Sequence, residues 1–127
     1  MIVLDSSATL ALIFGETGGS EVDASLGQAV MGAVNLAEVV AGMVRKGHDE
    51  EKCRAILVGI DLPVIPADEA VALDAGLLRR FTDSAGLSLG DRFCLALARR
   101  LPAPVLTADR AWARIAGAVG VEVRLIR

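Results

Sequence analysis

At 127 residues the chain has the length of one domain and can bury a substantial core. A net charge of −3 argues against a general nucleic-acid binder, while 54% apolar residues and a mean hydropathy of +0.54 point to apolar surface meant for a partner. The longest uncharged stretch, Ala24–Ala37, is too short to span a bilayer and Asp5 breaks the first apolar run, so neither a membrane span nor a signal peptide is expected and the reading is a cytoplasmic protein.

In chain order, Ile2–Leu4 is a short apolar run followed by Asp-Ser-Ser, a strand leading into a helix cap. Ser7–Phe14 reads as a helix ended by Gly15, and Glu21–Leu26 as a second short one. Ala29–Ala33 is a candidate buried strand. Leu36, Val39, Val40, Met43 and Val44 fall at helical spacing, which predicts an amphipathic helix over Asn35–Lys46. Asp49–Ile60 follows as another helix, Pro63–Pro66 brackets a short strand, and Asp68–Ser84 reads as one long helix. Ser88–Arg100 is a helix, Pro104–Thr107 a strand, Arg110–Ala116 a helix and Val121–Ile126 a last strand. Strands alternating with helices along the whole chain imply an α/β fold with a mostly parallel sheet covered on both faces, a single domain over residues 1–127.

A parallel sheet brings the C-terminal ends of its strands to one edge, where ligand crevices form. Four carboxylates sit at strand-to-helix junctions: Asp5 in IVLDSS, Glu38 in NLAEVV, Asp91 in SLGDRF and Asp109 in VLTADR. Asp91 reaches the edge less directly, through the Gly86–Gly90 loop. Acids gathered in one place repel one another, and hard divalent cations such as Mg²⁺ and Mn²⁺ prefer oxygen ligands. Without such an ion, at least one of the four should take up a proton.

Each acid also has a plainer reading, because acids complement helix N-termini. Asn35-Leu36-Ala37-Glu38 fits a capping box, Ser88-Leu89-Gly90-Asp91 resembles one, and Asp5 and Asp109 read as simple N-caps. Against that, Glu38 and Asp91 interrupt apolar helix starts with no base on hand, and a buried carboxylate needs a partner. The joint pattern points to a cation and to metal-dependent phosphodiester chemistry.

Charge is unevenly spread. Residues 1–74 carry 4 Lys/Arg against 12 Asp/Glu, a net of −8, and residues 75–127 carry 9 Arg against 4 acids, a net of +5. A basic second half can guide a polyanion to a metal-neutralised site, although solvated helix surface explains any single arginine. Arg92 and Arg110 each follow an acid, placed to touch a phosphate or to form a surface salt bridge. Trp112 reads as core packing, with base stacking as the lesser alternative, His48 as a solvated loop residue, and Cys53 and Cys94, without CxxC spacing, as small buried hydrophobes in a reducing compartment.

Other chemistries lack their residues. One histidine gives no triad and no zinc site. Gly15–Gly19 has no following Lys-Ser/Thr, and no GxGxxG opens a helix. A dehalogenase-like phosphatase wants a second Asp where Ser7 stands. A receiver-like regulatory domain wants an acidic pair at the first strand and a late lysine, whereas the only lysines are Lys46 and Lys52.

The opening IVLDSSA, then NLAEV, LSLGDRFCLALA, VLTADRAW and the closing VEVRLIR together resemble the PIN domain, most closely its VapC-type toxin branch. The resemblance covers essentially the whole chain, with the motifs in order. It implies a three-layer α/β/α sandwich and Mg²⁺- or Mn²⁺-dependent endoribonuclease activity leaving a 5′-phosphate and a 3′-hydroxyl. It also implies a homodimer and a VapB-type antitoxin encoded beside the gene. Asp5, Glu38 and Asp91 match the family's central metal-binding acids and Asp109 its more variable fourth, while Ser6 and Thr107 match hydroxyl positions that orient the acids or a water. A housekeeping RNA-processing nuclease and a PIN-like fold that only binds a partner share the same pattern. The apolar faces around Leu10–Phe14, Val39–Val44 and Ile56–Ile60 are the expected partner surfaces.

Overall fold

In the computed structural model, which describes residues 1–127, the expected apolar runs become five strands: β1 (Ile2–Leu4), β2 (Ala29–Gly32), β3 (Val64–Ile65), β4 (Val105–Thr107) and β5 (Val123–Leu125). They form one sheet in the order β3-β2-β1-β4-β5, and every pairing is parallel. Parallel neighbours need crossovers, supplied by helices α1 (Ser6–Ile13), α2 (Gly19–Ser25), α3 (Ala33–Arg45), α4 (Glu50–Ile60), α5 (Glu69–Leu77), α6 (Arg79–Thr82), α7 (Leu89–Arg100) and α8 (Ala116–Val119). The three-layer α/β/α sandwich with a parallel sheet is thus the observed architecture.

Alternation along the short strands sorts the core into its two halves. Val3, Val30 and Val105 face one side, where they pack with Val71 and Ala75 of α5, the apolar face of α7, and Trp112. Ile2, Leu4, Ala29 and Leu106 face the other side with Ala8 and Ala11 of α1 and Val22 of α2. Met31 joins them there, against Val39 and Met43 of α3 and Cys53 of α4. Both cysteines are buried free thiols and Trp112 is fully buried, so its indole is core and not a base-stacking surface. No helix is long and apolar enough to cross a membrane.

Four local expectations change. The helix expected over Asp68–Ser84 is three pieces: α5, α6 and a 3₁₀ turn at Asp83–Ala85. The Leu78 carbonyl accepts from Phe81 N–H at 2.9 Å and from the Thr82 hydroxyl at 3.2 Å, which tightens the turn and ends the regular ladder. The segment after Asp109 is a 3₁₀ helix over Arg110–Arg114 before α8, because the Asp109 carboxylate accepts from Ala111 N–H and its carbonyl from Trp112 N–H. The helix carrying Glu38 begins at Ala33, so Asn35 lies inside its first turn and is no cap. His48 is half-buried against the edge of the Phe14 ring, with centroids 5.8 Å apart, and is not a freely solvated loop residue.

Strand order fixes where a site can form. The direction of winding reverses between β1 and β4, and in open α/β sheets the crevice at such a point binds ligands. Asp5 follows β1 directly, and Thr107 closes β4.

Candidate active site

Asp5 occupies the N-cap position of α1, yet its carboxylate caps no backbone N–H. Instead Oδ2 accepts two hydroxyl hydrogen bonds, from Ser7 Oγ at 2.6 Å and Thr107 Oγ1 at 2.8 Å. Ala108 N–H donates to Ser7 Oγ at 2.9 Å and Asp109 N–H to Thr107 Oγ1 at 3.1 Å. Each hydroxyl thus accepts a backbone N–H and donates to Asp5, and the two oxygens lie 3.2 Å apart. The bridge joins β1 to β4 across the winding reversal. The other oxygen, Oδ1, is buried with no partner, on a residue only 2% exposed.

An orphaned carboxylate oxygen at this depth is costly to ionise. Burial pushes the Asp5 carboxyl up to about 6; the Ser7 and Thr107 hydroxyls pull the other way, and the charges of Asp91 and Glu38 add to the rise. Burial, more than the charge of its neighbours, therefore makes Asp5 hold its proton to a higher pH than an ordinary aspartate.

The serine bonded to Asp5 is Ser7. Ser6, the position expected from the family pattern, is half-buried and makes no side-chain hydrogen bond to Asp5. Two adjacent serines at the start of a helix point about 100° apart, and only the second turns back over the β1–β4 seam. Thr107 stands where expected and is fully buried.

Glu38 projects from the first half of α3 toward the N-terminus of α7. Its Oε1 accepts from Asn35 Nδ2 at 2.8 Å, and the same amide nitrogen donates to the Gly90 carbonyl at 3.1 Å. The Glu38 carboxylate lies so close to Gly90 that a Cβ there would overlap it, with Oε1 at 2.6 Å. Gly90 immediately precedes Asp91, so Glu38 sits against the turn that carries the third acid.

Asp91 and Asp109 are also caps. Asp91 completes a capping box, its Oδ2 accepting from Ser88 N–H at 2.8 Å while Ser88 Oγ accepts from Asp91 N–H at 3.2 Å. Burial raises the Asp91 carboxyl, the Ser88 bonds oppose that, Asp109 adds to the rise and Arg92 offsets part of it. Asp109 accepts from Ala111 N–H at 3.0 Å. The capping readings therefore hold for Asp91 and Asp109 and fail for Asp5 and Glu38.

Electrostatically the four are connected, since Asp5 feels Glu38 and Asp91, and Asp91 feels Asp109. Cys94, buried in the core, feels Asp5, Asp91 and Glu38 together, and burial keeps its thiol protonated. The side chains are not, however, drawn into a finished ligand cage: no three acids stand close enough to hold an ion as they are placed. Asp91 is turned back on Ser88, Asp109 on Ala111 and Glu38 on Asn35. The donor set is all oxygen, and the buried, unpartnered Oδ1 of Asp5 is an acceptor in need of a cation or a proton, so these residues fit a hard divalent ion.

Neither Arg92 nor Arg110 forms an ion pair, which removes the salt-bridge reading for both; Arg92 Nε makes only a long 3.4 Å bond to the Ser88 carbonyl. The sequence reading missed Ser7, Asn35 and Gly90. A signal existed for Gly90, because glycine in a helical first turn costs about 1 kcal/mol against alanine and calls for a reason.

The sequence matches the PIN domain family over residues 2–118. No curated protein matches it significantly. Among solved structures, a toxin–antitoxin complex from Klebsiella pneumoniae superposes with a TM-score of 0.77 at 18% identity, covering 100% of this chain and 98% of that one. VapBC-5 from Mycobacterium tuberculosis, a member of the VapBC family of toxin–antitoxin systems, gives 0.64 at 26% identity, covering 98% and 96%. VapC20 from the same organism, a toxin that cleaves the sarcin–ricin loop, gives 0.73 at 15% identity, covering 90% and 94%.

Proposed function

The chain belongs to the PIN domain family, and from that premise we propose that it is a Mg²⁺- or Mn²⁺-dependent endoribonuclease, the toxin of a toxin–antitoxin pair, acting in the cytoplasm as a single-domain protein. The observation that carries this reading is Asp5: a buried carboxylate with one free oxygen, at the winding reversal, in the field of Glu38 and Asp91. Asp5, Glu38 and Asp91 would hold the ion, with Asp109 as a fourth, outer acid. When bound, the ion lowers the pKa of a water and offsets the charge that grows on the scissile phosphate and leaving 3′ oxygen.

The chain's own groups supply the rest. Ser7 and Thr107 hold Asp5 Oδ2 from one side, so Oδ1, which has no partner, is the oxygen that would hold the ion. To reach the ion Asp91 would give up its Ser88 cap, while Glu38 would offer Oε2 and keep Oε1 on Asn35. Arg92 and Arg110, free of carboxylate partners, are the cations nearest the acids in sequence and take the flanking phosphates. The test is a digest of total RNA with and without Mg²⁺, with the ends mapped. Cleavage only with metal, leaving 5′-phosphates, is expected; no cut at any metal level overturns the nuclease assignment.

Binding should follow pH through Asp5. A proton held with a pKa of about 6 competes with the ion, so Mn²⁺ affinity is expected to fall about tenfold per pH unit below 6 and to level off above about 7. Calorimetric titration from pH 5 to 8 reads this directly, and a flat profile would exclude Asp5 as a ligand.

An antitoxin and a second copy of the chain are the proposed protein partners. The apolar surface is there: Leu36, Val40, Val44, Cys53 and Leu57 line a groove of about 450 Å³ between α3 and α4, and Val44 is 58% exposed. Val44→Asp is expected to weaken capture of the antitoxin encoded beside the gene while leaving the melting temperature within about 2 °C, as for most surface substitutions. Unchanged co-purification would place the antitoxin elsewhere.

The capping roles of Asp91 and Asp109 favour one other reading, a PIN fold that only binds a partner. It predicts negligible and equal heats when Mn²⁺ is titrated into wild type and Asp5→Asn.

A further inference from the structure

Asn35 is fully buried, and it caps nothing, since α3 begins two residues before it. Its amide nitrogen bridges two acceptors on different elements, Glu38 Oε1 at 2.8 Å on its own helix and the Gly90 carbonyl at 3.1 Å on α7. Both neighbours are acceptors, so only a donor fits between them and an aspartate would repel both. The amide oxygen has no partner at all. An unpartnered buried carbonyl costs about 1–3 kcal/mol, which offsets much of what the two bonds from the amide nitrogen contribute to stability. What an apolar residue cannot do is tie the Glu38 carboxylate to the backbone beside Asp91.

We propose that Asn35 is a positioning residue, which pins Glu38 Oε1 to the Gly90 carbonyl and so sets the spacing between the acids of α3 and α7 for a divalent cation. The role rests on the metal-dependent reading given above. The bare Cα of Gly90 completes the berth, because any side chain there would meet the Glu38 carboxylate. Only Oε1 is engaged by Asn35, which leaves Oε2 free to turn to an ion.

The test is Mn²⁺ titration calorimetry at pH 7.5 on the full chain, with thermal melts of the same samples. Thr82→Val is the control: Thr82 is also fully buried and bonded, to the Leu78 carbonyl, but on α6. Asn35→Ala is expected to weaken Mn²⁺ binding 10- to 100-fold, the usual effect of removing a group that orients a ligand, while Thr82→Val loses stability and binds as the wild type does. If Asn35→Ala fails to fold, Asn35→Ser, whose hydroxyl is too short to reach both acceptors, takes its place with the same expectation. A variant that melts earlier yet binds Mn²⁺ with wild-type affinity makes Asn35 a purely structural residue and overturns the proposal. No binding by the wild type itself overturns the metal-dependent reading and this role together, a result distinct from the first.

Discussion

Asp5→Asn is expected to abolish RNA cleavage and, in metal-free buffer at neutral pH, to make the protein more stable than the wild type. The two effects share one cause. In the folded chain Asp5 keeps its proton up to a pH of about 6, against 3.8 for an ordinary aspartate. Between those values the native state holds a proton that the unfolded state has lost, so stability falls as pH rises through the window. The full loss, reached above about pH 7, is on the order of 3 kcal/mol. Asparagine carries no such cost and still accepts the Ser7 and Thr107 hydroxyls through its one oxygen. It leaves an unpaired N–H where Oδ1 stood, which takes back about 1–2 kcal/mol. The net gain is about 1–2 kcal/mol, or about 3–6 °C in melting temperature at pH 7.5, shrinking toward zero or reversing near pH 4. Millimolar Mn²⁺ should invert the order by stabilising the wild type alone. Melts at pH 4 and 7.5, with and without the metal, give four curves per protein. A wild type that outlasts the variant in metal-free buffer at pH 7.5 would show that Asp5 is not strained by burial.

Gly90→Ala is expected to leave the fold's stability almost unchanged and to reduce cleavage about 100-fold. Alanine is preferred over glycine in a helix by about 1 kcal/mol, which favours the variant. The new methyl group would overlap the Glu38 carboxylate, the far end of a flexible side chain, so Glu38 moves and the backbone stays. A displacement of about 1 Å in a positioned group can cost about 10²-fold in rate. Melts together with initial rates under saturating Mg²⁺ separate the two quantities. Wild-type rates would show that Glu38 need not lie where the structure puts it, whereas a large drop in melting temperature would locate the clash in the backbone.

Both expectations rest on the same feature, a corner whose groups are set at some cost to the empty fold, as is common where activity and stability compete. Asp5 is strained by burial, and Asn35 leaves an oxygen unpaired. Gly90 gives up helix propensity.

The layering was legible from residue pattern because it depends on alternation, and β1, β2 and β4 fall where their apolar runs predict. That strand ends in a parallel sheet share an edge was legible for the same reason, but how close the four acids come was not, and no three of them stand near enough to hold an ion as placed. What pattern does not carry is side-chain direction. Ser6 and Ser7 differ by one residue, and only the path of α1 over β4 decides which hydroxyl meets Asp5. Asn35 read as a cap because Asn-x-x-Glu is a capping sequence, but the helix started earlier, at Ala33 with Gly32 in the cap position, and turned the same pair into a buried bridge to α7. The helix break after Leu77 comes from a threonine that bonds back to the preceding turn, a choice that helical periodicity does not register.

The most direct measurement is a crystal grown with Mn²⁺ and an anomalous difference map at the metal's absorption edge. A peak against Asp5 Oδ1, with Asp91 swung away from Ser88 and the Glu38 carboxylate turned to the same ion, is the expected result. Mn²⁺ at saturating concentration with no peak beside Asp5, and all four acids still on their caps and hydrogen bonds, would contradict it.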